Sequence, residues 1–121
     1  MDQAAFDATR YLPLQQADLH ILLALAQGEK HGYAIMQAAR SLSDGTFSMG
    51  PASLYTTIAK LLADGFIEET TSHKKPEELE RGRRYYRLSG RGRSAFEADL
   101  RRMEGILKRA SLSKLYPRRS E

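Results

Sequence analysis

The run Ile21-Leu22-Leu23-Ala24-Leu25-Ala26 is the strongest constraint on how this chain can fold. It lies at the centre of a helical pattern over residues 15–27 that is apolar on nearly every side. A helix without a polar face has to be surrounded by other elements. Gly28 offers a left-handed cap at its end. With 121 residues there is material for one modest core, so this helix is expected to be that core and the rest of the chain to wrap it.

The flanking patterns indicate what does the wrapping. A short helix is expected over residues 2–10, with Ala5, Phe6 and Thr9 on one side, interrupted by Pro13. A second helix runs from about 31 to 42, packs through Ala34, Ile35, Ala38 and Ala39, and is closed by Gly45. Thr46-Phe47-Ser48 has the composition of a short strand. Gly50 is an acceptable N-cap and Pro51 a favoured first residue for a third helix, which reaches Asp64 and stops at Gly65.

Two faces of that third helix differ in chemistry. Leu54, Ile58, Leu61 and Leu62 have the spacing of a buried stripe. Ser53, Thr56, Thr57 and Lys60 lie on another side, and none of them is acidic. Short hydroxyls and a lysine suit phosphate oxygens and base edges, whereas a merely solvated face more often mixes Glu with Lys. Residues 66–71 then read as a strand and 84–88 as its antiparallel partner, joined by a polar, basic segment containing Pro76 and Gly82. The expected fold is mainly α with a small antiparallel β-hairpin (α+β), in the order of a winged helix-turn-helix: the third helix reads, and the hairpin is the wing.

Charge points the same way. Between Lys74 and Arg93 there are eight basic residues against three acids, a local charge of +5, while the rest of the chain sums to −1. Concentrated positive charge is the footprint of a polyanion partner; the plainer alternative is a solvated hairpin. With no cysteine, disulfides and thiolate metal sites are excluded. No apolar run approaches the roughly twenty residues of a membrane span, and the first residues lack the basic region of a signal peptide, so a cytoplasmic location is expected. His20, His31 and His73 are scattered and no HExxH or nucleophile elbow occurs. An enzyme, a metal site and a cofactor are therefore not expected.

One motif argues for something else. Tyr85-Tyr86-Arg87-Leu88 followed by Gly90, Gly92 and Ala95 has the outline of a dinucleotide-binding turn, G-x-G-x-x-A between strand and helix. A true fingerprint needs a second parallel strand with an acid at its end, and after Gly92 only a long amphipathic helix follows. The glycines are better read as the bend into that helix, with Ser89 as its N-cap. Phe96, Leu100, Met103, Leu107 and Ala110 step by 4, 3, 4 and 3, the seam of a helix that packs on a partner helix. A second copy is the expected partner; folding back along the first helix is the alternative.

The blocks Leu22-Leu23-Ala24-Leu25-Ala26-Gln27-Gly28, His31-Gly32-Tyr33-Ala34-Ile35, Gly50-Pro51-Ala52-Ser53-Leu54-Tyr55, Leu61-Leu62-Ala63-Asp64-Gly65-Phe66-Ile67 and Arg84-Tyr85-Tyr86-Arg87-Leu88-Ser89 with Gly92 resemble PadR-family transcriptional regulators. They span roughly residues 14 to 96, in the family's order. The resemblance implies a homodimeric winged-helix DNA-binding protein, usually a repressor, of the short subfamily with a single C-terminal helix. On that reading residues 1–12 are an arm, 13–88 the DNA-binding domain, 89–116 the dimerisation helix and 117–121 a tail.

Carried onto this chain, the resemblance implies DNA contacts by Tyr33, Tyr55 and the residues from Ser53 to Lys60, with Lys74, Lys75, Arg83 and Arg84 on the wing. Tyr33 and Tyr55 are alternatively half-buried structural residues. Arg84 and Arg87 are alternatively strand residues paired with Glu68 or Glu69. The acidic stretch Pro76-Glu77-Glu78-Leu79-Glu80 would repel DNA at the wing's centre. A small hydrophobic or aromatic effector at the dimer interface is implied, with Phe6, Tyr11, Phe96 and Met103 as the residues that could line it; plain core is the alternative for all four. The competing functional class is a winged-helix protein-interaction module that dimerises without specific DNA binding.

Overall fold

The computed structural model describes residues 6–70 and 83–113. The expected contacts of Lys74 and Lys75, the acidic stretch 76–80 and the first residues of the arm lie outside that range. A 3-10 turn, Ala8–Tyr11, is followed by α1 (Gln16–Ala26), β1 (Lys30–His31), α2 (Gly32–Leu42), α3 (Pro51–Ala63), β2 (Ile67–Thr70), β3 (Tyr85–Leu88) and α4 (Gly90–Leu112).

Helix α1 is enclosed as its composition demands. Ile21, Leu22, Ala24 and Leu25 are buried, and they meet Ile35 of α2, Leu54, Ile58 and Leu61 of α3, Phe66, Ile67 and Tyr86 of the sheet, and Ala95 and Phe96 of α4. Gly28 takes φ +136°, open to glycine and costly for other residues. At the end of α3, Gly65 has φ +77°; its N–H donates to Leu62 O at 3.0 Å and that of Phe66 to Leu61 O at 2.9 Å. This is the double carbonyl capture of a Schellman ending.

Three strands form an antiparallel sheet in the order β1-β3-β2. Glu68 stands opposite Arg87, Glu69 opposite Tyr86, and Lys30 opposite Tyr86 on the other side of β3. The third strand, β1, was not expected: two residues carry no alternation to read, and their pairing with β3 is set by tertiary contact. Thr46-Phe47-Ser48 is correspondingly not a strand. Phe47 instead stacks on His20 of α1 at 4.3 Å between ring centroids, and its N–H donates to the Ser43 hydroxyl at 3.0 Å. In the arm, the described residues form only the short 3-10 turn, capped by the Asp7 carboxylate, which accepts from Thr9 N–H at 3.1 Å.

The bend between wing and α4 is the tightest junction. Ser89 caps α4, its Oγ accepting from Gly92 N–H at 3.0 Å. The same hydroxyl donates to Gly65 O at 2.6 Å, and Ser89 N–H donates to Phe66 O at 3.0 Å. A Cβ on Gly92 would overlap the carbonyl oxygen of Phe66, while one on Gly90 would meet nothing within 4 Å. Gly92 is thus needed for close approach and Gly90 is not. Above this junction Phe6, Tyr11 and Phe66 form an aromatic cluster with centroids 4.9–6.1 Å apart, and the Arg91 guanidinium lies 4.9 Å from the Phe6 centroid.

Gly92→Ala is expected to cost about 2–3 kcal/mol, since neither the carbonyl nor the helix start can move aside freely. Gly90→Ala should be neutral or stabilising by about 0.5 kcal/mol. Urea unfolding of both variants checks the contrast.

Candidate nucleic-acid interface

The surface expected to read DNA is built from the starts of α2 and α3 and the base of the wing. α2 begins at Gly32 behind His31, whose Nδ1 accepts from Ala34 N–H at 3.3 Å and caps the helix. Tyr33 follows and is 59% exposed. Tyr55, one turn into α3, is 52% exposed, and its hydroxyl lies against the α carbon of Gly32, where any side chain would collide with it. Both tyrosines are therefore more open than half-buried packing residues would be. Ser53 and Thr56 are exposed on the same first turns of α3.

Thr57 and Lys60 stand differently from the expectation. Thr57 is buried, and its hydroxyl donates to Ser53 O at 2.8 Å. Leu54, Ile58 and Leu61 define the stripe, and Thr57 stands about 60° from Leu54 round the helix, close enough to be taken inside. Leu62, expected within the stripe, lies on its opposite flank and is 36% exposed. The Lys60 ammonium is paired with the Asp18 carboxylate of α1. Asp18 is buried to 7% side-chain exposure while Lys60 keeps 47%, so the lysine reaches solvent but its charge is spoken for.

At the wing, Arg84 pairs with Glu69 at 3.3 Å and Arg87 with Glu68 at 3.0 Å, the strand alternative for both. Arg83 Nη1 lies 3.5 Å from His31 Nε2. Tyr33, Tyr55, Arg83 and Arg84 converge with His31, Gly32, Ile58, Ala59, Leu62, Glu69 and Tyr86 around a cleft of about 600 Å³. Tyr86 is 4% exposed at its base, and no described residue hydrogen-bonds its hydroxyl. Burial, then the Glu69 and Tyr55 charges, pushes that hydroxyl above the usual phenol range, with Arg84 opposing. It stays protonated, a donor. Sequence reasoning missed this cleft, because its members come from four separate stretches, 31–33, 55–62, 69 and 83–86.

The α4 seam divides in two. Phe96 is buried in the domain's own core, whereas Leu100 and Leu107 are exposed and Met103 and Ala110 half-buried. Ile106, outside the 4-3 stepping, is also exposed. Between the two parts sits Asp99, fully buried, with Oδ1 accepting from Arg102 Nε at 2.6 Å and Oδ2 bound by no described residue. Of the residues considered for an effector site, Phe6 and Tyr11 pack on Phe66, with Tyr11 still 40% exposed, and Phe96 lies in the core; Met103 borders a groove with Leu100 and Leu107. Among the described residues no helix is long and apolar enough to cross a membrane and no acidic or histidine cluster could hold a metal.

A family model described as the transcriptional regulator PadR-like family matches residues 21–98. The transcriptional regulator Rv3488 of Mycobacterium tuberculosis is 35% identical over 88 residues, covering 73% of this chain and 76% of that protein. A transcriptional regulator from Clostridium thermocellum is similar in structure, with TM-score 0.61 and 24% identity over 93% of this chain and 97% of its own. A PadR family transcription regulator from Clostridium difficile has TM-score 0.63 at 21% identity, over 81% and 97%. At those identities the structures speak to the fold, which they share.

The ion pair between α1 and α3 generates a separable prediction. Lys60→Ala leaves a buried carboxylate without its partner and should cost about 1–2 kcal/mol of stability, discounted for the half-exposed lysine. Asp18→Ala combined with Lys60→Ala should lose less than the sum of the two single variants. A double-mutant cycle by thermal unfolding without DNA measures this coupling apart from any role in binding.

Proposed function

This chain belongs to the PadR-like family of transcriptional regulators, a family of regulators and not of enzymes, and from that premise we propose that it is a sequence-specific DNA-binding repressor acting as a homodimer. The observation that carries the reading is the pair of tyrosines: Tyr33 and Tyr55 stand more than half exposed beside Ser53 and Thr56, and no described residue hydrogen-bonds their hydroxyls. Such phenols suit backbone phosphates, and the two small hydroxyl residues suit base edges in the major groove. Arg83 and Arg84 at the wing base add phosphate contacts, as do Lys74 and Lys75 by their charge. Lys60 contributes only if DNA draws it from Asp18. Thr57, turned inward, acts through the helix it steadies.

Dimerisation would use the outer half of α4. Met103, Ile106, Leu107 and Ala110 continue the helix beyond the core that covers Ala95 and Phe96, and an apolar stripe of that kind is the seam of paired helices. Two reading helices about one turn of DNA apart would then match a pseudo-palindromic operator, and occupancy would block transcription. A small hydrophobic ligand that favours another spacing of the two heads would release it. The ion pairing of Arg84, Arg87 and Lys60 is the feature that favours the competing reading, a dimeric module for protein partners, because those charges are already met within the chain.

Selection of bound duplexes from a random pool, followed by mobility shifts at two salt concentrations, tests the reading. A salt-sensitive complex with a selected sequence is expected; its absence leaves the protein-interaction module. Thr56→Ala should weaken the selected sequence by about 1–3 kcal/mol and other sequences far less. Arg84→Gln should weaken all sequences and reduce the salt slope by about 0.9. Ile106→Glu should give monomers by sedimentation and lose operator binding with them.

A further inference from the structure

Between Pro51 and Ala63 the reading helix α3 carries one charged side chain, Lys60. It lies one turn beyond Thr56 on the same side of the helix, and Thr56 is exposed among the residues proposed to meet base edges. A lysine in that position ordinarily gives a helix a phosphate contact on any duplex. Here the ammonium is paired with the carboxylate of Asp18, from the first turn of α1.

The wing's arginines are paired as well, but their acids are open to water. Side-chain exposure is 37% for Glu69 and 53% for Glu68, against 7% for Asp18. An open carboxylate that gives up its arginine to a phosphate is rehydrated, so the exchange costs little. Asp18 has no such recourse. Among the described residues Lys60 alone is bonded to its carboxylate, and withdrawal of the ammonium would leave a buried charge unmatched. That penalty exceeds the return from one phosphate contact at a solvated surface. Arg84 is therefore able to change partners on DNA and Lys60 is not.

We propose that Asp18 is a positioning residue that keeps Lys60 off the DNA backbone. It occupies, from inside the protein, the place that a phosphate would take on the ammonium. The reading helix then meets DNA without a charge of its own, through Ser53, Tyr55 and Thr56. Sequence-independent attraction is left to the wing, and the protein holds any duplex less tightly than its count of basic residues suggests. The role of Asp18 rests on the DNA-binding reading, and it belongs to a residue that does not itself touch DNA.

The experiment measures the affinity of the full chain for a random-sequence duplex across a salt series, with folding followed by circular dichroism. Asp18→Asn keeps the shape of the side chain and releases the ammonium. It should raise the affinity about eightfold for each chain bound at roughly 0.1 M salt and steepen the salt slope by about 0.9, the share of one phosphate contact. Adding Lys60→Ala should remove that gain. Asp44→Asn, the same change of net charge at an exposed turn, should not produce it. Lys60→Ala in the otherwise unchanged chain should leave the slope as it is, in contrast to Arg84→Gln. A wild-type slope in Asp18→Asn overturns the role of Asp18, as does a gain that survives Lys60→Ala or appears with Asp44→Asn. A shallower slope in Lys60→Ala alone shows that Lys60 already meets phosphate and overturns it too; that measurement decides where Asp18→Asn does not fold. A wild-type chain that binds no duplex at any salt overturns the DNA-binding reading itself and the role of Asp18 with it, whereas every other failure leaves that reading standing.

Discussion

Everything in this molecule passes through the contact of Gly92 with the carbonyl of Phe66. That carbonyl lies at the turn where α3 becomes β2, and it is held by Ser89 at the turn where β3 becomes α4. One hydroxyl, Ser89 Oγ, bonds Gly65 on one side and caps α4 on the other. The end of the reading helix, both strands of the wing and the start of the long helix therefore meet within a few ångströms. No side chain fits between them, so main-chain contacts join the end of α3 directly to the start of α4.

Most of the architecture could be read from the sequence because its signals are local. Gly28, Gly45 and Gly65 each mark a helix end and each takes a positive φ. The apolar saturation of 21–26 announced a central helix, and the bend at 89–92 separated a joint from a phosphate cradle. What escaped depended on direction or distance. Thr57 and Leu62 flank the same stripe, and periodicity cannot say which flank the neighbouring elements cover. β1 is too short to have a period. Asp18 was invisible as the partner of Lys60, since nothing in the spacing of two helices states which polar residues face each other across them.

The charged residues show the same division. Counting placed a surplus of positive charge around the wing, but Arg84 and Arg87 are met by Glu69 and Glu68 across the ladder. Exposed pairs of this kind contribute little to stability, on the order of 0–1 kcal/mol. Their larger effect is to tie Arg84 and Arg87 to β2. Arg84 and Glu69 thereby stand together at the cleft, while Arg87 pairs outside it and Tyr33 and Tyr55 remain more than half exposed.

The two-residue strand β1 has one more implication. It binds the wing to the start of α2 through main-chain pairing of Lys30 and His31 with Tyr86 and Tyr85, and main-chain pairing is indifferent to side-chain identity. The residues that join Thr70 to Arg83 can thus be exchanged or lengthened without releasing the wing's root from the helices. The main-chain pairing of β1 with β3 thus fixes how residues 83–88 sit against the helices independently of which side chains residues 71–82 carry.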